Sequence, residues 1–182
     1  TLITGADVFN EEGSVDVTIG SYTAINLTVS VVNFGTGTVD PSCNNCTMST
    51  PGVTDSVCCD GFTAPASGFY LENAGNQNAS ISLNVSKDAS GFIGGTSPLF
   101  QFNVTEGEMS SCINSSGTPG SGINSTWNST WADATTENPL ICSILQPAGD
   151  NDLLKIDVKI RIPDNSMTSL RNTTVTATAE SV

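Results

Sequence analysis

The chain has 182 residues, with 18 acidic and 5 basic side chains, no histidine and a net charge of −13. That length can bury one sizeable core. The charge leaves little cation to meet phosphate, so nucleic acid and anionic membrane surfaces are poor partners. Without histidine, Ser–His and Cys–His catalysis and histidine–metal sites are excluded.

In chain order, residues 1–13 stand apart as an N-terminal arm. Leu2, Ala6 and Val8 share one face if the arm is extended, and Glu11-Glu12-Gly13 breaks the pattern. The arm is a candidate donor strand. It can pair at the edge of its own sheet or complete the sheet of a neighbouring subunit. Residues 14–182 read as a single domain. Residues 14–19 and 23–34, separated by Gly20-Ser21, predict a hairpin. Residues 35–66 predict a long loop, costly to order without cross-links. Residues 68–72 and 79–86 flank Asn73-Ala74-Gly75-Asn76, a turn composition that predicts a second hairpin. Residues 99–105 predict a strand, 113–138 a low-complexity decorated loop, and 141–145 a short strand. The clearest pattern is 153–162. There Leu154, Ile156, Val158, Ile160 and Ile162 face one way, opposite Lys155, Asp157, Lys159 and Arg161. Pro163-Asp164-Asn165-Ser166 turns the chain, and 172–180 returns. Seven or eight strands with turn signals predict an all-β fold, an antiparallel two-sheet sandwich or jelly roll.

Six cysteines, Cys43, Cys46, Cys58, Cys59, Cys112 and Cys142, suggest an oxidising compartment and a disulfide framework. Cys112 and Cys142 bracket the Ser/Gly/Asn-rich stretch and are paired on that ground. The other four form two bridges between Cys43/Cys46 and Cys58/Cys59, with the partners left open. A four-thiolate zinc site fits Cys43-Xaa-Xaa-Cys46, but the adjacent Cys58-Cys59 is a poor second half.

Nine Asn-Xaa-Ser/Thr acceptors are present: Asn26, Asn45, Asn78, Asn84, Asn103, Asn114, Asn124, Asn128 and Asn172. Chance gives roughly 4, so the excess is about twofold. On the expected strands they fall opposite the apolar residues. Asn84 opposes Ile81, Leu83 and Val85, and Asn103 opposes Phe102 and Val104. N-linked glycans carried on wet faces imply export. No stretch approaches the roughly 20 apolar residues of a membrane span. The chain opens on Thr1 without a signal-peptide core, which reads as a mature chain whose leader has been cleaved.

Little else points to chemistry. The carboxylate pairs Glu11/Glu12, Glu106/Glu108 and Asp150/Asp152 lie in turn-like segments that read as solvated faces, so no enzyme is expected. Asp150 and Asp152 resemble half of a calcium loop but lack the Gly and Glu of an EF-hand. Apart from calcium there, no cofactor is indicated. Trp127 and Trp131 flank Asn128 and could stack on sugar rings or pack over the loop's base.

Several stretches carry a resemblance. They are Phe34-Gly35-Thr36-Gly37, Cys43-Asn44-Asn45-Cys46 with Cys58-Cys59, Gly68-Phe69-Tyr70-Leu71-Glu72-Asn73-Ala74-Gly75-Asn76, and Ile160-Arg161-Ile162-Pro163-Asp164. Together they look like exported archaeal surface proteins, and in part like the TasA/camelysin-type jelly-roll fibre subunits. The resemblance implies a cell-surface subunit that polymerises with identical copies by donating an N-terminal strand. The expected function is therefore structural: a glycosylated extracellular filament, pilus-like or a biofilm fibre. The alternative is a secreted adhesion or carbohydrate-binding module acting as a monomer.

Overall fold

A computed structural model describes residues 17–147, 149 and 151–182. Leu2, Ala6, Val8 and Asp150 therefore lie outside the described residues.

The fold is nearly all β. Thirteen strands and one short helix are described: β1 (Ile25–Val29), β2 (Thr38–Val39), β3 (Asn45–Ser49), β4 (Val53–Thr54), β5 (Cys59–Asp60), β6 (Phe69–Asn73), β7 (Ala79–Val85), α1 (Ala89–Phe92), β8 (Leu99–Glu106), β9 (Cys112–Ile113), β10 (Ala132–Asp133), β11 (Leu140–Leu145), β12 (Leu153–Pro163) and β13 (Val175–Ser181). Every strand pair is antiparallel. The larger sheet is built on β12. One edge of β12 carries β8 over Leu154–Arg161, and β10 pairs with β8 beyond it. The other edge is shared by β6, next to Leu153–Ile156, and β3, next to Lys159–Pro163. β1 closes the β6 side and β4 the β3 side. The second sheet runs β13-β7-β11-β9, and β2 and β5 form a small ribbon.

Period-two alternation explains the core. Phe100, Phe102 and Val104 of β8, Leu154, Ile156, Val158 and Ile160 of β12, and Ile81, Leu83 and Val85 of β7 are all buried in one hydrophobic cluster. The polar face of β12 is less wet than its pattern predicts. Asp157 is buried, its Oδ1 accepts from Thr50 Oγ1 at 2.7 Å, and its Oδ2 pairs with Lys155 Nζ at 2.8 Å. The same Thr50 oxygen accepts from Val158 N at 2.9 Å, so the buried acid has a partner on each oxygen.

Other expectations are corrected. β6 and β7 are not a hairpin, because β6 belongs to the larger sheet and β7 to the smaller. The connection is a corner held by Asn73, whose side chain is fully buried. Its Nδ2 donates to the carbonyls of Gln77 (2.9 Å) and Leu145 (3.1 Å), and its Oδ1 accepts from Gly75 N (3.0 Å). Residues 17–19 are exposed and form no strand, so among the described residues the expected hairpin with β1 is not made, residues 14–16 lying outside them. Residues 35–66 contain four short strands rather than bare loop, and disulfides join Cys43 to Cys58 and Cys46 to Cys59. Cys112 bonds Cys142, which ties β9 to β11. All six cysteines are paired in disulfides, so none is left as a free thiol. Residues 113–138 do not stand out in solvent. Ile123, Trp127 and Ala134 are buried in the main cluster, and Trp127 brackets the end of β8 by accepting from Val104 N at 2.9 Å.

Candidate assembly groove and acceptor asparagines

Among the described residues β1 pairs with β6 alone, and β13 with β7 alone, so each is an edge strand of its sheet. A groove of about 470 Å³ runs between the chain segments that continue those edges. One wall is residues 30–34, which follow β1. The other is residues 170–174, which lead into β13. The floor consists of core side chains: Phe69, Phe100, Val158 and Ile160.

The sequence predicts residues 30–34 and 172–174 as strand, yet neither wall pairs in a ladder among the described residues. β1 slips in register between Leu27 and Val29, and β6 begins only at Phe69, so residues 30–34 run past the end of their partner. They keep an extended alternation, with Val32 and Phe34 half-buried toward the core and Val31 73 % exposed. On the far wall, β7 ends at Val85. Ser86 N donates to Thr174 O at 2.9 Å, and the ladder stops there. Leu170 is 91 % exposed at this rim. The walls thus behave as two strands that lack a shared neighbour, over a floor that is apolar.

The chain's N-terminal segment leaves the fold at the other end of β1. Asn76 clamps its root: Oδ1 accepts from Tyr22 N (2.8 Å) and Nδ2 donates to Gly20 O (3.0 Å). Gly75 N adds a bond to Ala24 O at 3.1 Å.

The nine acceptor asparagines are spread over both sheets and the loops. Asn26 lies exposed on β1 opposite Glu72, and Asn84 half-exposed on β7 opposite Thr176. Asn45 opens β3, Asn78 precedes β7, and Asn172 stands exposed on the groove wall just before β13. Asn103 on β8 opposes Asp157, and its Oδ1 is buried without a partner. Asn114 and Asn124 each accept at Oδ1 from the backbone N–H two residues on, both at 3.0 Å, and Asn128 is exposed in the same loop. Asn124 differs from the others: its Nδ2, the atom that would carry a sugar, donates to Leu140 O at 3.0 Å.

The remaining candidates have structural partners. Glu106 Oε1 and Oε2 accept from Cys112 N and Ser110 N at 3.1 Å, and Glu108 Oε2 accepts from Asp152 N at 3.1 Å. These carboxylates brace loops. Asp152 Oδ2 accepts from Gly149 N, and among the described residues no three metal-ligating side chains gather. Trp127 is buried and offers no stacking platform. Trp131 is half-buried under Lys159, whose Nζ stands 4.5 Å from the ring centroid and whose pKa is lowered by burial. A second, polar cleft of about 540 Å³ lies where Arg161 donates through Nε and Nη2 to Ser97 O, beside Asn44, Asp164 and Asn165. Among the described residues, no helix is long and apolar enough to cross a membrane. Comparison with protein-family models, curated proteins and solved structures finds no match to this chain.

Proposed function

We propose that this chain is a structural subunit of an extracellular, glycosylated filament, a jelly-roll sandwich that polymerises with identical copies by N-terminal donor-strand complementation. One observation carries the reading: the groove opens onto the core between two strand-like walls that belong to no strand ladder among the described residues. A strand supplied from outside satisfies free N–H and C=O groups and covers the apolar floor in one step. The arm of residues 1–10, with Leu2, Ala6 and Val8 turned inward, has the chemistry to fill it.

The placement of root and groove favours a neighbour over self-complementation. They flank β1 at opposite ends, so donation from copy to copy is head-to-tail, which generates a filament wherever the rotation between copies does not close into a ring. Roughly eight new backbone hydrogen bonds at about 0.5–1.5 kcal/mol each, together with apolar burial, make such a contact tenacious. Three disulfides and the acceptor asparagines suit an exported chain.

The test is deletion of residues 1–10. The truncated chain is expected to be a soluble, less stable monomer that forms no fibres in negative-stain images, with its stability restored by adding the free peptide. Normal assembly of the truncated chain would sink the proposal. The alternative, a monomeric carbohydrate-binding module, draws support from the polar cleft at Arg161, Asp164 and Asn165, and predicts discrete particles in the same images.

A further inference from the structure

The polar face of β12 gathers an amine, a carboxylate and a carboxamide that strand donation does not use. Lys155, Asp157 and Lys159 alternate on that face, and β8 lays Thr105, Asn103 and Gln101 directly opposite them. Asp157 is buried, with Thr50 Oγ1 on its Oδ1 at 2.7 Å and Lys155 Nζ on its Oδ2 at 2.8 Å. The Lys155 side chain is itself only 23 % exposed. Directly opposed residues hold their Cβ atoms about 4.5–5.5 Å apart. An ammonium held at the Asp157 carboxylate therefore lies beside the Asn103 carboxamide. Asn103 Oδ1 is buried there with no hydrogen-bond partner, which is rare for a buried polar atom and needs a reason. Lys159, the other amine on this face, is turned aside: its Nζ stands 4.5 Å from the Trp131 ring centroid.

We propose that Lys155 and Asn103 condense into an intramolecular isopeptide bond, with Asp157 as the acid–base group that promotes it. Asp157 takes a proton from the Lys155 ammonium, and the freed amine attacks Asn103 Cγ. The carboxylic acid so formed donates to Oδ1, the atom otherwise without a partner, and stabilises the charge that oxygen gains in the tetrahedral intermediate. The proton held by Asp157 and one from the attacking nitrogen pass to Nδ2. The Cγ–Nδ2 bond breaks and an ammonium ion leaves. One ammonium and one carboxamide thus give one secondary amide and one ammonium ion, with no oxidant, cofactor or second protein. Thr50, bonded to the far carboxylate oxygen, holds Asp157 between the two reacting groups. The product ties β8 to β12 covalently within their ladder. It also bars sugar from Asn103, because the nitrogen that would carry the glycan departs. The proposal concerns the single subunit and is independent of strand donation.

The experiment is peptide mass spectrometry of the reduced, protease-digested chain. The parent is expected to give a branched peptide that joins the segment holding Lys155 to the segment holding Asn103, lighter than their sum by one ammonia. Trypsin should fail to cut after Lys155. A Lys155→Arg variant keeps a cation beside Asp157 but cannot form the bond, so it should give only linear peptides. Its circular dichroism should match the parent's, which separates loss of the bond from loss of the fold. Asp157→Ala should lose most of the branched peptide while Lys155 and Asn103 are both retained. Linear peptides alone from the folded parent, sugar on Asn103, or a branch that maps to Lys159 would each overturn the proposal. A branch that survives undiminished in Asp157→Ala would overturn the part given to Asp157.

Discussion

At the scale of single residues, side-chain amides and carboxylates hold the turns. Asp88 caps α1: its Oδ1 accepts from Gly91 N at 2.8 Å and Ser90 Oγ at 2.9 Å, and these bonds hold its pKa below the ordinary 3.8. Asp40 is lowered in the same way by the Ser42 hydroxyl and then its N–H. Both folded values lie below the unfolded one. Their contribution is therefore complete above the ordinary carboxylate range and is lost as pH falls through the folded values. Thermal melts of the parent should be insensitive to these groups from about pH 5 to 7 and should fall below about pH 4. Asp88→Asn, which keeps the acceptor, should flatten part of that acid limb, and an unchanged limb would show that the cap does not carry it. The acceptor asparagines can be ranked on the same local geometry. Peptide mass spectrometry should find sugar on exposed Asn26 and Asn172 and on Asn84. Asn124, whose Nδ2 already donates to Leu140 O, should be the least occupied. Full occupancy at Asn124 with bare Asn26 would reverse the ranking.

At the scale of elements, the walls of the groove should change state on assembly. The backbone amides of residues 30–34 and 170–173 have no ladder partner, so their hydrogen exchange in the free subunit should be fast. In a filament built by strand donation the same amides should slow by at least tenfold while those of β12 stay slow in both. Equal exchange in both forms would mean that no strand enters there. These two segments also mark where sequence reading was both right and insufficient. Alternation located β6, β7, β8, β11 and β12 to within a residue or two, because each buries one face in the common cluster. It extended the strands flanking the groove beyond their observed ends because the pattern records which face is apolar, while a ladder also needs a neighbour. The β6–β7 corner was illegible for a different reason. Asn73-Ala74-Gly75-Asn76 has turn composition whether the chain reverses within one sheet or crosses to another, and the bond that decides it runs to Leu145, 72 positions away. Residues 113–138 misled through composition: three buried side chains among many small polar ones anchor the whole segment. The groove itself had a partial signal in Val31 and Leu170, but its floor comes from three distant strands.

At the scale of the whole molecule, one cluster joins two sheets, and disulfides fasten the parts that alternation leaves weak. Cys43–Cys58 and Cys46–Cys59 close loops of 15 and 13 residues in a region whose strands are two to five residues long. A loop of that size contributes about 3 kcal/mol through the unfolded chain's lost freedom, on the entropic account. The Cys43→Ser/Cys58→Ser pair should therefore lower unfolding free energy by roughly that amount in urea titrations, with the β12-centred core still formed. A loss below about 0.5 kcal/mol would show that the native contacts of residues 35–66 suffice without the bridge. The position of root and groove at opposite ends of β1 has a mechanical consequence. When a fibre built this way is pulled, tension passes into each copy at the Asn76 clamp and out at the groove walls, along the direction of β1 and its neighbours. The ladders would then be loaded in shear, with many hydrogen bonds resisting together, rather than peeled one at a time. The disulfide-stapled segment on the β3–β4 side would lie off that line of force, free to vary in size and decoration without weakening the cable.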